Sequence, residues 1–230
     1  MLAIIASEER YLCDLLEKIE HKKVASPKET ILYEANYLGH NFIIMVSGYG
    51  KVNISRSLQF LKDNYPLKVI SLIGTAGSTD NSNELFSSVI CDNTLQFDVD
   101  FSPIGYEPSI LPLMKTGVYS TNSDLKECME YACKKSGLNY NNCLISSSDM
   151  FVCNNQLASS IKRQYGPGAV DYDCGVVGQF SYINNIPFIC VKTISNFAGN
   201  NAIRQYKLYD QESGKISQKI MYQFLRLYYE

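Results

Sequence analysis

Two linked segments decide the fold, Gly166-Pro-Gly-Ala-Val-Asp-Tyr-Asp-Cys-Gly175 and Pro187-Phe-Ile-Cys-Val-Lys-Thr-Ile-Ser-Asn196. Residues 186–194 form a short run of β-branched and aromatic residues, which is typical of a buried strand. A shorter strand is predicted to end at Ala169–Val170, with a helix starting after the two aspartates that follow it. Ligands bind at the carboxyl ends of strands in open α/β sheets. The two ends therefore predict one site formed by Asp171, Tyr172, Asp173, Ser195 and Asn196. The same residue types cap strands and form turns equally often, so spacing alone leaves both interpretations open.

Composition places limits on the class of protein. The chain has 230 residues, of which 46% are hydrophobic, and a formal net charge of −2. This length predicts one domain over residues 1–230 with a sizeable core. The charge gives no reason to expect a nucleic acid or an anionic membrane as a partner. The apolar start, residues 1–6, is too short and lacks the basic flank of a signal peptide, and no apolar run approaches about 20 residues, so we expect a cytoplasmic protein.

The eight cysteines do not form a CxxC pair, and most lie within apolar runs. This pattern argues against a metal site and against disulfides. Buried free thiols in a reducing compartment explain the cysteines better. We therefore expect no metal and no cofactor.

Other predicted strands also end in small polar residues. Asn41–Ser47 runs into Gly48-Tyr49-Gly50-Lys51, where two glycines would let the backbone approach a ligand closely, although a tight turn explains them equally well. Leu67–Ile73 runs into Gly74-Thr75-Ala76-Gly77, whose N–H groups and hydroxyl suit a sugar or a phosphate. Strands alternate with predicted helices, which indicates an α/β sandwich around a mixed sheet. The main predicted helices are 52–65, 123–135, 156–165 and a closing helix that starts at Gly214 or Lys215.

The segment from Gln96 to Tyr106 is unusually rich in aromatic and apolar residues for a surface loop. Such a loop is expected to cover a pocket or to contact a second subunit.

Taken in order, five segments resemble the purine nucleoside phosphorylase/nucleosidase superfamily: Ser47–Asn53, Gly74–Gly77, Phe151-Val152, Ala169–Asp173 and Ile194–Asn196. The likeness covers nearly the whole chain and is greatest to the family of bacterial methylthioadenosine/S-adenosylhomocysteine nucleosidases. No single motif is specific, but their order and spacing are. The resemblance implies a single-domain, three-layer α/β sandwich with a mixed, partly barrel-like sheet, and it implies purine nucleoside hydrolysis.

The resemblance also implies roles for individual residues. Asp173 matches the carboxylate that holds the ribose hydroxyls, and Tyr172 matches the residue packed against the sugar. Phe151 matches the aromatic ring that stacks on the purine, Val152 the residue whose backbone contacts the base edge, and Thr75 a small hydroxyl residue near the ribose. The remaining expected substrate-binding residues are Asp171, Ser195 and Tyr49. A homodimer is implied too, in which Phe101, Ile104, Tyr106 and Pro112 of one subunit cover the pocket of the other.

Two positions depart from the family pattern. Asn196 stands where the family has an aspartate that delivers a proton to N7 of the leaving adenine, and an amide cannot deliver one. Asn196 would instead suit a 6-oxopurine. The family's water-activating glutamate follows the first strand, where this chain is about one residue shorter, so that Arg10 occupies the matched position. Either Glu9 takes that role or the role is absent.

These departures leave three hypotheses for the function. The first is a purine nucleosidase with Asn196, Glu9 and Asp173 as its catalytic residues. The second is a nucleoside-binding protein with little or no activity, and the third is a purine nucleoside phosphorylase. Phosphorylases of the superfamily usually carry a phosphate-binding arginine where this chain has Leu72. Water is therefore the favoured nucleophile.

Overall fold

The computed structural model describes residues 1–80 and 82–230, and a single ten-stranded sheet runs through it. The strands are β1 Leu2–Ala6, β2 Glu20–Val24, β3 Ile31–Tyr37, β4 His40–Val46, β5 Val69–Ser78, β6 Ser88–Gln96, β7 Val118–Ser120, β8 Tyr140–Ser147, β9 Ala169–Asp171 and β10 Phe188–Phe197. The helices are α1 Cys13–Leu16, α2 Lys51–Asn64, α3 Ser123–Ser136, α4 Asn155–Tyr165, α5 Cys174–Asn184 and α6 Ala202–Tyr229, with 3₁₀ turns at Glu9–Tyr11 and Ser102–Ile104.

Part of the sheet closes on itself. Its order is β10-β6-β8-β9-β5-β1-β4-β3-β2, and β10 also pairs with β5, so β5, β10, β6, β8 and β9 form a closed ring. Strands β1, β4, β3 and β2 extend the ring as an open sheet with both parallel and antiparallel pairs, and β7 pairs with β6. The predicted mixed, partly barrel-like α/β fold is confirmed.

The sheet separates two apolar layers. One buried cluster joins it to α1, α3 and α6, and a second joins it to α2 and α5. The alternation of side chains along each strand feeds both clusters, because successive residues point to opposite faces. In β1, for example, Ile4 packs in the first cluster and Ile5 in the second.

The last helix is longer than the sequence predicts. It begins at Ala202, whereas the sequence predicts a start at Gly214 or Lys215. Gly214 lies inside the helix and faces Tyr11. A Cβ at Gly214 would lie 2.6 Å from Tyr11 Cδ1, so the glycine makes room for the ring and does not start the helix. The strand β2 was not predicted either, since its residues are charged and exposed along the sheet edge. Over the described ranges, the helices all fall short of the length and apolar character that crossing a membrane requires.

Candidate active site

The carboxyl ends of β5 and β10 lie side by side and open a cavity. The two strands are parallel, and Ala76 is paired with Ile194 and Gly77 with Asn196, so Ser195 is the extra residue of a bulge. A bulge bends its strand and redirects the side chains around it. The cavity contains about 350 Å³ of space not filled by protein atoms, part of which is open to solvent. It is lined by Thr75, Ala76, Gly77, Met150, Phe151, Val152, Val170, Asp171, Tyr172, Ser195, Asn196 and Tyr206.

Seven of the residues predicted from the sequence line this cavity together: Thr75, Phe151, Val152, Asp171, Tyr172, Ser195 and Asn196. The other predicted positions, namely Glu9, Asp173, Tyr49 and the 101–112 segment, are absent from the described lining.

Asn196 is 3% exposed and is held on both sides. Its Oδ1 accepts a hydrogen bond from Ser195 Oγ at 3.0 Å, and its Nδ2 lies against Gly77. A Cβ at Gly77 would come within 2.8 Å of that nitrogen, so a glycine is needed there. The arrangement leaves the amide with a donor to offer to a ligand, as the sequence predicts.

Aromatic rings stand on two sides of the cavity. The rings of Phe151 and Tyr206 meet edge to face with their centroids 5.4 Å apart, and those of Tyr49 and Tyr172 do the same at 5.2 Å. Phe151 and Tyr172 are each partly exposed, which leaves ring surface for a flat ligand. Tyr206, on α6, was not predicted.

A buried lysine lies between the two predicted aspartates. Lys192 is 2% exposed, and its Nζ lies 2.6 Å from Asp173 Oδ1 and 3.5 Å from Asp171 Oδ2. Burial alone would lower the pKa of Lys192, but the two carboxylates raise it above its usual value. Burial, and then the charge of Asp173, raise the pKa of Asp171 to about 8. One cation thus faces two carboxyl groups, and Asp171 is the one whose pKa is raised.

This pairing changes the expected position of Asp173. Its carboxylate is 1% exposed and directed to Lys192, so it lies behind the cavity lining. Its predicted role in holding sugar hydroxyls stays a prediction.

The acidic residues after β1 point in different directions. Glu9 is exposed, and its carboxylate accepts a hydrogen bond from Tyr33 Oη, away from the cavity lining. Burial and this contact raise the pKa of Tyr33 to about 12. Glu8, by contrast, accepts hydrogen bonds from Tyr49 Oη and from Arg10 Nη2. The 3₁₀ turn at residues 9–11 separates the two side chains, and Glu9 is not brought to the site.

One carboxylate that the sequence analysis missed lies beside the cavity. Asp210 on α6 is 3% exposed and accepts a hydrogen bond of 2.6 Å from Thr75 Oγ1. It falls in a segment that was not predicted to be helical, and no local motif marks it. Tyr206, one turn earlier on the same face of α6, was missed for the same reason.

The segment from Phe101 to Pro112 lies away from the cavity lining of its own chain. It contains the 3₁₀ turn at Ser102–Ile104, and Ile104 is 68% exposed. Leu113, which follows it, is 98% exposed. The segment therefore presents apolar side chains to solvent.

The cysteines differ from the prediction at one point. Cys174 and Cys190, both fully buried, are paired as a disulfide, whereas the sequence analysis expected free thiols. They are 16 residues apart in sequence, and α5 and β10 bring them together in the core. The other six cysteines are free.

The geometry defines a small-molecule site at strand ends in a partly closed α/β sheet, and comparison with known proteins gives its family. The chain belongs to the Phosphorylase superfamily, whose sequence profile matches residues 2–227. It is 30% identical over 197 residues to the 5′-methylthioadenosine/S-adenosylhomocysteine nucleosidase of Buchnera aphidicola subsp. Acyrthosiphon pisum, covering 84% of this chain and 83% of that protein. It is 26% identical to the enzyme of the same name from Staphylococcus carnosus, with 98% and 99% covered.

Solved structures share the fold. A nucleosidase of the same name from Neisseria meningitidis, in complex with methylthio-immucillin-A, superposes with a TM-score of 0.93. It is 22% identical, and the match covers 98% of each chain. A futalosine hydrolase mutant from Helicobacter pylori gives the same TM-score at 17% identity and the same coverage. The predicted superfamily and its nucleosidase branch are confirmed as the relatives of this chain.

Proposed function

We propose that the chain is a purine nucleosidase that hydrolyses the N-glycosidic bond of a nucleoside of the methylthioadenosine/S-adenosylhomocysteine type. One observation carries the proposal: the cavity at the ends of β5, β9 and β10 combines aromatic walls with the hydroxyls of Thr75 and Ser195 and the amide of Asn196. This combination suits a flat base joined to a polyhydroxylated ring. The relatives described above carry the same activity in their names.

Different residues of the cavity contact different parts of the proposed substrate. Phe151 offers a ring face to the purine, and the backbone of Val152 lies at the base edge. Tyr172 packs against the sugar, with Thr75 on its hydroxyl side. Asn196, donating through Nδ2, reaches the purine at N7. An amide at this position binds a departing base through a hydrogen bond but does not protonate it.

Water fits the site better than phosphate does as the nucleophile. None of the described lining residues is a lysine or an arginine. Lys192 is engaged by two aspartates, and Leu72 is fully buried in β5. Phosphate is normally held by arginine or by several convergent donors, so its binding here would be weak.

The test is base release from methylthioadenosine, S-adenosylhomocysteine, inosine and futalosine, followed by chromatography with and without phosphate. We expect free adenine from the first two, at a rate independent of phosphate. Release that needs phosphate, together with a sugar phosphate product, would make the protein a phosphorylase. Nucleoside binding in a calorimeter without any base release would make it a nucleoside-binding protein.

We also propose a homodimer in which the 101–112 segment of one subunit covers the pocket of the other. Ile104 within this segment is 68% exposed and Leu113 directly after it is 98% exposed, and a second subunit over the segment would remove this apolar surface from water. Light scattering at micromolar concentration should give twice the mass of the chain. Ile104→Ser with Leu113→Ser should shift the mass toward the monomer, whereas Leu208→Ser, at an apolar position on α6 that is 61% exposed, should not. A monomer in the unmodified protein would contradict the proposal.

The single domain over 1–230 and the cytoplasmic location remain predictions.

A further inference from the structure

Asp210 is a buried carboxylate that the division of roles above does not use. Its Oδ1 accepts hydrogen bonds from Thr75 Oγ1 at 2.6 Å and from Tyr11 Oη at 3.0 Å. Its Oδ2 accepts from Tyr11 Oη at 2.8 Å and lies 3.0 Å from Arg10 Nη2. Burying a carboxylate is costly even with partners. Because Asp210 lies next to the cavity, we expect its burial to serve the function of the site.

Of these partners, Thr75 is the one that lines the cavity. A threonine hydroxyl carries one proton and two acceptor lone pairs. Because Thr75 gives its proton to Asp210, its oxygen is left as an acceptor toward the cavity. A water molecule that donates to Thr75 Oγ1 would be connected to the Asp210 carboxylate through that hydroxyl.

The other carboxylates around the described site are committed elsewhere. Glu9 accepts from Tyr33 outside the lining, and Glu8 accepts from Tyr49 and Arg10. Asp171 accepts from Ser147 Oγ, and Asp173 is paired with Lys192. Asp171 lines the cavity itself but faces Lys192, whereas Asp210 holds the hydroxyl of a lining residue, Thr75, as its hydrogen-bond donor.

We propose that Asp210 is a positioning residue that orients Thr75 and, through its hydroxyl, takes up the proton of the attacking water. The inference rests on the proposed nucleosidase function and supplies the water-activating group that Glu9 does not provide in this geometry.

In the proposed step, Thr75 relays a proton from the attacking water to Asp210. The water oxygen bonds to C1′ of the sugar while the C1′–N9 bond breaks, and the bonding electrons leave with the purine. One water proton passes to Thr75 Oγ1, and the proton of Thr75 passes to Asp210. The purine takes up one proton from solvent, and Asp210 later returns one to solvent. One nucleoside and one water thus give one free sugar and one neutral base.

This role requires Asp210 to be ionised, which sets the direction of the pH dependence. Burial raises the pKa of Asp210 above its usual value, while its bonds to Thr75 and Tyr11 and the charge of Arg10 oppose that rise. As the pH falls through this pKa the carboxylate is lost, and kcat should fall with it. The titratable and charged groups around Asp210 are Arg10, Glu8 and Tyr11 after β1, Tyr49 before α2, Tyr172 after β9 and Tyr206 on α6.

The test compares Asp210→Asn with the unmodified protein, using adenine release from methylthioadenosine across pH. We expect kcat to fall by about 10²-fold or more, within the range of general base catalysis, and KM to change little. The acidic limb of the kcat profile should disappear in the variant. Asp92→Asn is the matched control, because Asp92 pairs with Lys126 and is not among the residues lining the cavity. A purely structural role of Asp210 would lower the melting temperature but leave the shape of the pH profile unchanged.

Variants of Thr75 provide an independent test of the proposed relay. This test remains available if Asp210→Asn fails to fold. Thr75→Ser should keep most of the activity, and Thr75→Val should lose about as much as Asp210→Asn. The double variant should be no slower than either single one, because the two residues act as a unit. Glu9→Gln tests the rival base.

Three results would overturn the inference. The first is a wild-type kcat and acidic limb in Asp210→Asn, and the second is a Thr75→Val variant as active as Thr75→Ser. The third is a large loss in Glu9→Gln that exceeds the loss in Asp210→Asn. In these cases an active wild type would leave the nucleosidase function standing, whereas a wild type that released no base would overturn both.

Discussion

Replacing Lys192 with methionine is expected to lower the free energy of unfolding by about 3–5 kcal/mol, the usual result of breaking a buried ion pair from one side. Lys192 is 2% exposed, and it is the cation placed between Asp171 and Asp173. Methionine fills a similar volume but leaves the Asp173 carboxylate buried without its partner. The loss should appear in urea unfolding at pH 7, followed by circular dichroism because the chain has no tryptophan.

Two variants separate the buried pair from an ordinary surface pair. Combining Lys192→Met with Asp173→Asn removes both charges and should recover much of the lost stability. Lys162→Met breaks the pair with Asp80, whose side chains are 37% and 35% exposed, and should cost at most about 1 kcal/mol. Equal losses in Lys162→Met and Lys192→Met would mean that the Lys192 pair does not behave as a buried one.

The sequence predicted the strand ends well because their signal is local. A buried strand is a short apolar run, and the polar residues after it must lie at its carboxyl end. Thr75, Asp171, Ser195 and Asn196 were found in this way, since parallel neighbours bring such ends together. The fold followed from the same alternation of strands and helices.

The residues missed at the site depend on long-range packing. Tyr206 lines the cavity and Asp210 lies beside it because α6 starts at Ala202, whereas Gly214 suggested a later start. Its glycine faces Tyr11, a contact between residues 203 positions apart that no local pattern reveals. The pairing of Cys174 with Cys190 likewise depends on how α5 lies against β10.

The directions in which individual side chains point could not be predicted from the sequence either. Glu8, Glu9 and Arg10 are consecutive, and the direction of each side chain depends on the 3₁₀ turn at Glu9–Tyr11. The resemblance placed Arg10 on the matched position and left Glu9 as the candidate, but Glu9 contacts Tyr33 and Glu8 contacts Tyr49. In β10, Lys192 lies inside an apolar run and could have belonged to an edge strand. Only the three-dimensional structure shows that it is buried between Asp171 and Asp173.

Changing Asn196 to aspartate is expected to raise kcat for methylthioadenosine by about 10²–10⁴-fold if the site lacks an acid for the departing base, the range of general acid catalysis. The position suits an acid. Ser195 Oγ already donates to Asn196 Oδ1 at 3.0 Å and would hold a carboxyl group in the same orientation. The site is 3% exposed, and burial favours the protonated form that an acid catalyst needs.

The gain should appear in kcat more than in KM, because the proton is transferred as the base departs. The matched control is Asn64→Asp, the same change at an exposed position on α2, which should leave both constants unchanged. Measuring both variants with inosine adds a second comparison. If Asn196 serves a 6-oxopurine, the aspartate should slow inosine cleavage, since a carboxylate repels O6 and donates only when protonated.

The outcomes separate the three interpretations of this residue. Faster methylthioadenosine cleavage identifies a nucleosidase limited by the absent acid, and slower inosine cleavage identifies one adapted to an oxopurine. No turnover in either protein, with affinity nearly unchanged, identifies a nucleoside-binding protein. If the unmodified chain already turns over methylthioadenosine at about 10 s⁻¹, a usual enzyme rate, and aspartate adds nothing, then Asn196 binds the base without limiting its departure. Stabilisation of the leaving purine would then rest on the Asn196 amide and on solvent, which places the main catalytic demand on activating the water.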